Sequence, residues 1–424
     1  MISFKEALKI HSSIPLKPLE IEVISLFESV GRVLAEDIIC IHALPKFNQS
    51  AMDGYGFKMQ DLGKKTQVIQ CIFAGDDVSA LEVKENECVK IMTGAMVPKG
   101  IETIVPIECM LESHKNSALA PKDFKINANI RQKGENTSLN SVLVPKNTRL
   151  NYGHIAFKIN ANIRQKGENT SLNSVLVPKN TRLNYGHIAF IASQGLKEIK
   201  AFRKLKIALF SSGDELAPLG QNALECQVYD VNSVGVFNML KNYNTHFLGV
   251  LKDDKNLQLK ILELQDYDVI LSSAGVSVGD KDFFKDALKE KNALFYYEKV
   301  NLKPGKPVTL ARLNQSIIIG LPGNPLSCLL VLRVLILPLL ERLSLNKDFK
   351  LKPFKAQINA PLKLKNKRTH LILGNYSNHQ FIPYNNNRYE SGAIQALAQV
   401  DSIALIDEGV GLVQGEIEIL RFEN

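Results

Sequence analysis

Two carboxylates, Asp280 and Asp282, follow a run of small residues, Ser272-Ser-Ala-Gly-Val-Ser-Val-Gly279, which itself follows the apolar segment Val269-Ile-Leu271. Small residues let a polyanion approach backbone N–H groups, and carboxylates beside such a cradle suit a hard cation bridging phosphate oxygens. Phosphate chemistry is the first expectation. Taken alone, a glycine-rich turn with a solvated acidic cap accounts for the stretch equally well. The stretch contains neither G-x-x-x-x-G-K-[ST] nor G-x-G-x-x-G, so no Walker loop and no dinucleotide fingerprint is present.

More carboxylates stand at the ends of other apolar runs, Asp214 and Glu215 in Ser211-Ser-Gly-Asp-Glu-Leu216 and Asp253-Asp254 after Phe247–Leu251. A basic counterpart is Lys299-Val-Asn-Leu-Lys-Pro-Gly-Lys306, with three lysines around a turn. Each lysine alone reads as a solvated surface charge; three beside phosphate-type loops do not. In Pro322-Gly323-Asn324-Pro325 the asparagine can cap a helix, the proline suits its first position, and the exposed amides there form an anion site. Arg368 and Ser391 are the polar candidates of the C-terminal stretch, each more often structural when considered singly.

The elements that must position these groups follow from periodicity. From Lys204 strands alternate with helices, the pattern of a doubly wound parallel sheet, with strands at Leu205–Phe210, Phe247–Leu251 and Val269–Leu271 and a helix after Val228-Tyr-Asp-Val-Asn232. Such sheets bind ligands at the carboxyl edge, where the acidic groups gather. Ser3 and Glu6 predict a capping box for a first helix, and Leu19 to Leu34 carries apolar residues at helical spacing. Residues 57 to 118 read as a small β-domain, and Phe354 to Phe422 as a small all-β unit. Leu44-Pro-Lys-Phe-Asn-Gln-Ser-Ala-Met-Asp-Gly-Tyr55 is more than the plain turn that Asp53-Gly54 would need, and Thr93-Gly94 follows a predicted strand.

Composition narrows the class. At 424 residues, with 45% hydrophobic and 22% charged side chains, the chain is that of an ordinary soluble globular protein with several domains. A net charge of +9 suits small anions, since no aromatic-interleaved basic patch of a nucleic-acid module occurs and Trp is absent. Six cysteines without a C-x-x-C pair predict free thiols in a reducing cytosol. The start lacks a signal-peptide core, and the most apolar run, Leu329 to Leu340, is short and broken by Arg333 and Pro338, so neither a leader nor a membrane span is expected.

Residues 125–157 recur identically as residues 158–190, an offset of 33 residues. Two copies are too few for a solenoid, so the repeat reads as a recent tandem duplication or an error of sequence assembly, with one copy redundant.

Taken in order, the Leu44–Tyr55 string, Met92-Thr-Gly-Ala95, Gly134-Glu135, Ser212-Gly-Asp-Glu-Leu216, Ser273-Ala-Gly-Val-Ser-Val-Gly279 with Asp282, Lys303-Pro-Gly-Lys-Pro307 and Gly320-Leu-Pro-Gly-Asn-Pro325 resemble the molybdopterin molybdenumtransferases, the MoeA and gephyrin E-domain type. The resemblance covers nearly the whole chain. It implies a multidomain α/β plus β fold in an elongated homodimer. Its parts would be a segmented N-terminal domain (1–43 plus 124–203), an inserted small β-domain (44–123), a doubly wound molybdopterin-binding α/β domain (204–345) and a C-terminal β-barrel-like domain (346–424). It further implies Mg²⁺-dependent insertion of molybdate into adenylylated molybdopterin with release of AMP, in the cytoplasm.

By that resemblance Glu215, Asp253 and Asp282 hold Mg²⁺; Lys299, Lys303 and Lys306 hold phosphate or molybdate; and Ser273, Gly275, Ser277, Gly279, Gly323 and Asn324 line the substrate site. Ser327, Arg368 and Ser391 complete the molybdate pocket, while Asp53 and Thr93 reach the reacting site from the second subunit. Candidate partners are an upstream molybdopterin adenylyltransferase and downstream cofactor-using enzymes, with no nucleic acid and no membrane. Two other readings stay open: a molybdopterin adenylyltransferase, or a non-catalytic scaffold of the same fold. The chain departs from the family pattern at Asn48-Gln49, where Asp-Asn is usual, at Asn136 and Asn169, where Asp is usual, and at Ala274, where Gly is usual. Either Glu135 or Glu168 occupies the family's Gly-Glu position.

Overall fold

From residue 204 onward the alternation of apolar runs and turns builds a six-stranded sheet in the computed structural model, which describes residues 1–42, 45–124, 163–164, 173–217, 219–252, 254, 256, 259–260, 263–264, 266–273, 283–365, 367–390 and 392–422. Its order is Asn244–Leu251, Lys206–Ser212, Val269–Ser272, Ser316–Gly320, Pro307–Leu313, Leu294–Lys299. The first four strands are parallel, as the periodicity predicts. The last two pair antiparallel, because a tight hairpin through Asn314, which takes φ 54°, turns the chain back instead of crossing over.

Both faces of this sheet are covered. Ile207, Leu209, Val269, Leu271, Ile317 and Ile319 pack into one core with Val236 and Leu326 from helices Val231–Met239 and Pro325–Val331. The alternate residues Ala208, Phe210, Ile270 and Ile318 pack on the other face against Phe284, Ala287 and Leu288 of helix Phe283–Glu290. This two-sided burial is why the strands read as unbroken apolar runs. Val269, Ile270 and Leu271 expose no surface, and each contributes roughly 1.5–3 kcal/mol by its burial. At the amino end of that strand Asp268 accepts from Arg203 at 2.6 and 2.9 Å and from the Lys206 N–H at 2.9 Å, a structural anchor remote from the carboxyl edge.

The C-terminal strands Phe354–Ile358, Thr369–Ser377, Gln380–Pro383, Ser402–Ile406 and Glu416–Arg421 close into a five-stranded barrel, sealed by pairing of Thr369–Ser377 with Ser402–Ile406. Ile372, Phe381, Ala404 and Ile419 fill it. Leu302–Lys303 adds to the barrel in parallel beside Thr369. The inserted region forms another six-stranded sheet, Thr103–Pro106, Gly54–Phe57, Glu87–Ile91, Lys65–Ile72, Ser117–Leu119, Glu112–Ser113.

The capping box of helix Phe4–Ser13 forms as expected, Ser3 and Glu6 satisfying each other's orphan N–H groups. The helical expectation for Leu19 to Leu34 does not hold. Ile21–Ser25 is a strand paired antiparallel with Glu198–Phe202, followed by a single 3₁₀ turn and the short strand Val33–Leu34. The β-branched alternation Ile21-Glu-Val-Ile-Ser outweighs the helical spacing once a partner strand is present.

The chain separates into two compact units: Met1–Glu36, Lys179–Ile188 and Lys197–Asn424 in one, Asp37–Pro178 and Ala189–Leu196 in the other. None of the six cysteines is in a disulfide. No helix among the described residues is long and apolar enough to cross a membrane.

Candidate functional site

Asp53 and Thr93 come from separate motifs, and the sheet of the second unit brings them together. Asp53 Oδ1 accepts from the Thr93 N–H at 2.7 Å and from the Thr93 hydroxyl at 2.8 Å. The two turns are locked by Gly94 N–H to Ser50 O (2.7 Å) and Ser50 N–H to Ala95 O (2.9 Å). Gly54 is required next to Asp53 because a Cβ there would stand 2.4 Å from the Val105 carbonyl oxygen. Gly94 takes φ +80°, a left-handed conformation that favours glycine. The Thr93 amide and hydroxyl hold the exposed Asp53 carboxyl below its usual range, so the pair presents a fixed anion.

In the first unit, register places the remaining described candidates on one edge. Strand Lys206–Ser212 delivers Gly213 to Glu215, strand Val269–Ser272 delivers Ser273, and strand Ser316–Gly320 delivers Gly323 and Asn324, all at carboxyl ends. Thr309 pairs with Gly320 and Lys299 with Pro307, which puts Lys299 and Lys306 on that same edge. Gly305 takes φ +107°, and a Cβ there would meet Val331 Cγ2 at 2.3 Å, so the lysine turn presses on helix Pro325–Val331. Ser327 of that helix is buried, and its carbonyl lies 3.8 Å from the same hypothetical Cβ.

The barrel adds Arg368. Leu302 and Lys303 pair with Thr369 and His370, and Arg368 Nη1 reaches the Leu302 carbonyl at 3.5 Å. Burial holds the His370 imidazole below its ordinary range; its hydrogen bond to the Lys365 carbonyl opposes this, and the charges of Lys303 and Arg368 reinforce it. Lys303 and Arg368 stand with His370 at one corner, where Leu302–Lys303 pairs with Thr369–His370. Lys303 and Lys306 are exposed and Lys299 and Arg368 half-buried. The corner can hold an oxyanion through donors that cannot accept.

Glu215 is exposed on this edge, and its carboxylate makes no hydrogen bond among the described residues. Asp253, Asp282, Gly275, Ser277, Gly279 and Ser391 lie outside the described residues, as do Glu135 and Glu168. Among the described residues no three His, Cys, Asp or Glu groups converge as metal ligands. The cap expected of Asn324 is corrected: it occupies the cap position before Pro325, but its side chain makes no capping bond, and its carbonyl accepts the Cys328 N–H at 2.9 Å.

Behind the edge sits a buried polar network that the sequence reading passed over. Asp230 caps helix Val231–Met239 by accepting the Ser233 N–H at 3.0 Å, and it also accepts from the Ser233 and Ser211 hydroxyls, the latter at 2.6 Å. Ser211 and Ser273 hydroxyls meet at 2.6 Å. Asn232 Nδ2 donates to the carbonyls of Ser273 at 3.1 Å and Gly323 at 2.7 Å. The available signal was an Asp-x-Asn at a helix start, two residue types that are poor in helix interiors.

Residues 2–160 match the sequence profile of the MoeA N-terminal region (domain I and II), and residues 208–342 that of a probable molybdopterin binding domain. A molybdopterin molybdenumtransferase of Haemophilus influenzae is 31% identical over 342 residues, covering 79% of this chain and 76% of its own. One from Staphylococcus epidermidis is 26% identical over 435 residues, covering 98% and 94%. A solved molybdopterin biosynthesis MoeA protein from Pyrococcus horikoshii aligns over the whole of both chains with a TM-score of 0.75 at 20% identity, a likeness of fold.

Proposed function

The chain belongs to the molybdopterin molybdenumtransferase family and is a transferase of molybdenum cofactor biosynthesis, and from that premise we propose that it inserts molybdate into adenylylated molybdopterin in a Mg²⁺-dependent reaction that releases AMP. The supporting observation is the carboxyl edge itself. Strand register brings Lys299 and Lys306 to the edge where the loops leave three adjacent strands, and the pairing of Leu302–Lys303 with Thr369–His370 sets Arg368 beside the same lysine turn.

In this reading the lysines and Arg368 hold the phosphoanhydride and the molybdate oxyanion, with Ser327 and Ser391 completing the molybdate pocket. Ser273, Gly275, Ser277, Gly279, Gly323 and Asn324 let the phosphate approach backbone amides. Glu215, exposed and without a side-chain hydrogen bond among the described residues, suits a hard-cation ligand, and with Asp253 and Asp282 it would hold Mg²⁺. Bound there, Mg²⁺ would supply charge neutralisation at the phosphoanhydride. Water adds across that anhydride, one P–O bond breaks, and AMP and molybdopterin phosphate result; the two dithiolene thiols then bond molybdenum while one molybdate oxygen leaves with their two protons as water, the metal keeping its oxidation state. The lysine donors stabilise the charge that develops on the phosphoryl oxygens.

We further propose a cytoplasmic homodimer of four-domain subunits, with the second protomer contributing Asp53 and Thr93. The exposed apolar side chains of Ile21, Val23, Phe27 and Val30 support an interface on the first unit. The direct test supplies adenylylated molybdopterin, molybdate and Mg²⁺ and measures AMP. Molybdate-dependent AMP release with cofactor formation is the expected result. ATP consumption with unmodified molybdopterin would instead mark an adenylyltransferase.

A further inference from the structure

Asn232 is the second residue of helix Val231–Met239 and is only 8% exposed. Its Nδ2 bonds to Ser273 and Gly323 bridge the two loops that leave neighbouring strands, Val269–Ser272 and Ser316–Gly320. Two carbonyl acceptors fix the orientation of the amide, because the flipped form would set Oδ1 against two oxygens. Both N–H donors are therefore spent within the protein. The acceptor is not: Asn232 Oδ1 is buried and has no hydrogen-bond partner among the described residues.

The placement is built. Asp230, held by Ser211 and Ser233, sets the start of the helix. At Gly235 the helix comes so close to Pro325–Val331 that a Cβ would lie 2.8 Å from Leu329 Cδ2, an approach that keeps Asn232 within reach of Gly323. A buried acceptor without a donor is costly, and native proteins leave few of them.

We propose that Asn232 is a positioning residue of the substrate site: Nδ2 clamps the Ser273 and Gly323 loops in register, and Oδ1 accepts from an N–H or O–H group brought by the substrate. This rests on the transferase reading above. A phosphate at neutral pH brings no donor, so the group is a ring or amino N–H of the pterin or a ribose hydroxyl of the adenylyl half. Asn232 thereby fixes the heterocyclic or sugar end of a ligand whose anionic centre the lysines hold.

Three measurements on the full-length enzyme test this. Amide hydrogen exchange of the ligand-free protein reads the clamp, and Asn232→Leu is expected to speed exchange at least tenfold in peptides covering 269–273 and 321–325. Steady-state kinetics with adenylylated molybdopterin reads the acceptor, with KM raised at least tenfold and kcat changed less than threefold. Titration with AMP alone and with molybdopterin alone identifies the donor, since only the ligand that supplies it loses affinity. The Asn232→Asp variant keeps the volume in case the leucine variant does not fold. Its protonated carboxyl retains one donor while its carboxylate faces two carbonyl oxygens, so its KM should climb with pH where the wild-type KM does not.

Unchanged KM, within twofold, in both variants overturns the proposal. Faster exchange with unchanged KM and unchanged affinity for both ligands overturns it as well, by leaving a purely structural clamp. An unmodified enzyme that releases no AMP sinks the transferase reading itself, and the exchange data then decide the clamp independently.

Discussion

The Asp53–Thr93 turn and the lysine corner present opposite charges by different means. The turn is built from two strings, each legible by itself, held by a glycine that fits against a neighbouring carbonyl and by a few backbone hydrogen bonds. The corner is assembled from the 299–306 turn, helix Pro325–Val331 and the barrel residue Arg368, so its chemistry exists only after the sheet and barrel have formed. An exposed anion is placed by one pair of neighbouring strands and two hydrogen bonds from a single residue, whereas several cations repel one another and need a scaffold of more elements to hold them together.

The sharpest test of that contrast combines the two regions. Lys303→Ala and Asp53→Asn should each lower kcat/KM about 100-fold or more, the scale of losing one preorganised electrostatic group. If the proposed homodimer joins the Asp53 of one protomer to the lysines of the other, unfolding and reassembling an equal mixture of the two inactive variants should regain roughly a quarter of wild-type activity, since half the dimers are mixed and carry one intact site. No regain would break the assignment to separate protomers.

Stability separates the glycines by what surrounds them. Gly54→Ala places a Cβ 2.4 Å from backbone that cannot yield, and should cost at least about 3 kcal/mol in denaturant unfolding. Gly305→Ala adds strain at φ +107° to a 2.3 Å contact with the movable Val331 side chain, so it should loosen the lysine turn and raise KM for the anionic substrate. Gly323→Ala meets nothing within 4 Å and should change stability by less than about 0.5 kcal/mol. Equal effects at Gly54 and Gly323 would remove steric fit as the device that places Asp53.

Acid should act on the two regions differently. His11 on helix Phe4–Ser13 meets the Tyr297 hydroxyl at 2.7 Å, and Tyr297 belongs to the strand that ends at Lys299. Burial, reinforced by the charge of Arg342, pushes the His11 imidazole down to about 3. A folded pKa below the unfolded value of about 6.5 means that the unfolded chain binds the extra proton. The stabilisation is therefore full above pH 6.5 and is lost as pH falls toward 3, by about 2 kcal/mol between pH 7 and pH 5. His11→Gln should abolish that share of the drop, read as the wild-type minus variant difference in unfolding free energy. Asp53, also lowered but a carboxyl, keeps its charge through that window and loses its contribution only below the ordinary aspartate range. Parallel acid profiles in the two variants would break the comparison.

Much of the fold was legible because its signals are local: the Ser3–Glu6 box, the unbroken strands at 206–212 and 269–272, the short strands of the barrel. Leu19 to Leu34 misled because spacing was weighed without the partner strand Glu198–Phe202, which lies far along the chain. The antiparallel edge of the α/β sheet was hidden for a related reason, since a hairpin at Asn314 and a crossover differ in a few residues of loop. Asn232 was invisible as a site because its meaning depends on two carbonyls, and backbone atoms have no sequence signature.

The smallest effect should come from the repeat, although it is the largest anomaly in the sequence. Deleting 125–157 or 158–190 yields one and the same protein, because the copies are identical and adjacent. Every described contact of this region is made by residues of the second copy: Ile163–Arg164 pairs with Gln49–Ser50, Val175–Val177 with Ile38–Ile39, and Arg182 bonds to Glu341. A single copy retains all of them. The deletion variant should thus unfold at the same denaturant midpoint, within error, and should release AMP at the wild-type rate. A loss of activity would mean that the extra 33 residues contribute to the Asp53–Thr93 side of the chemistry, and that the strand pair holding those two residues is not sufficient for it.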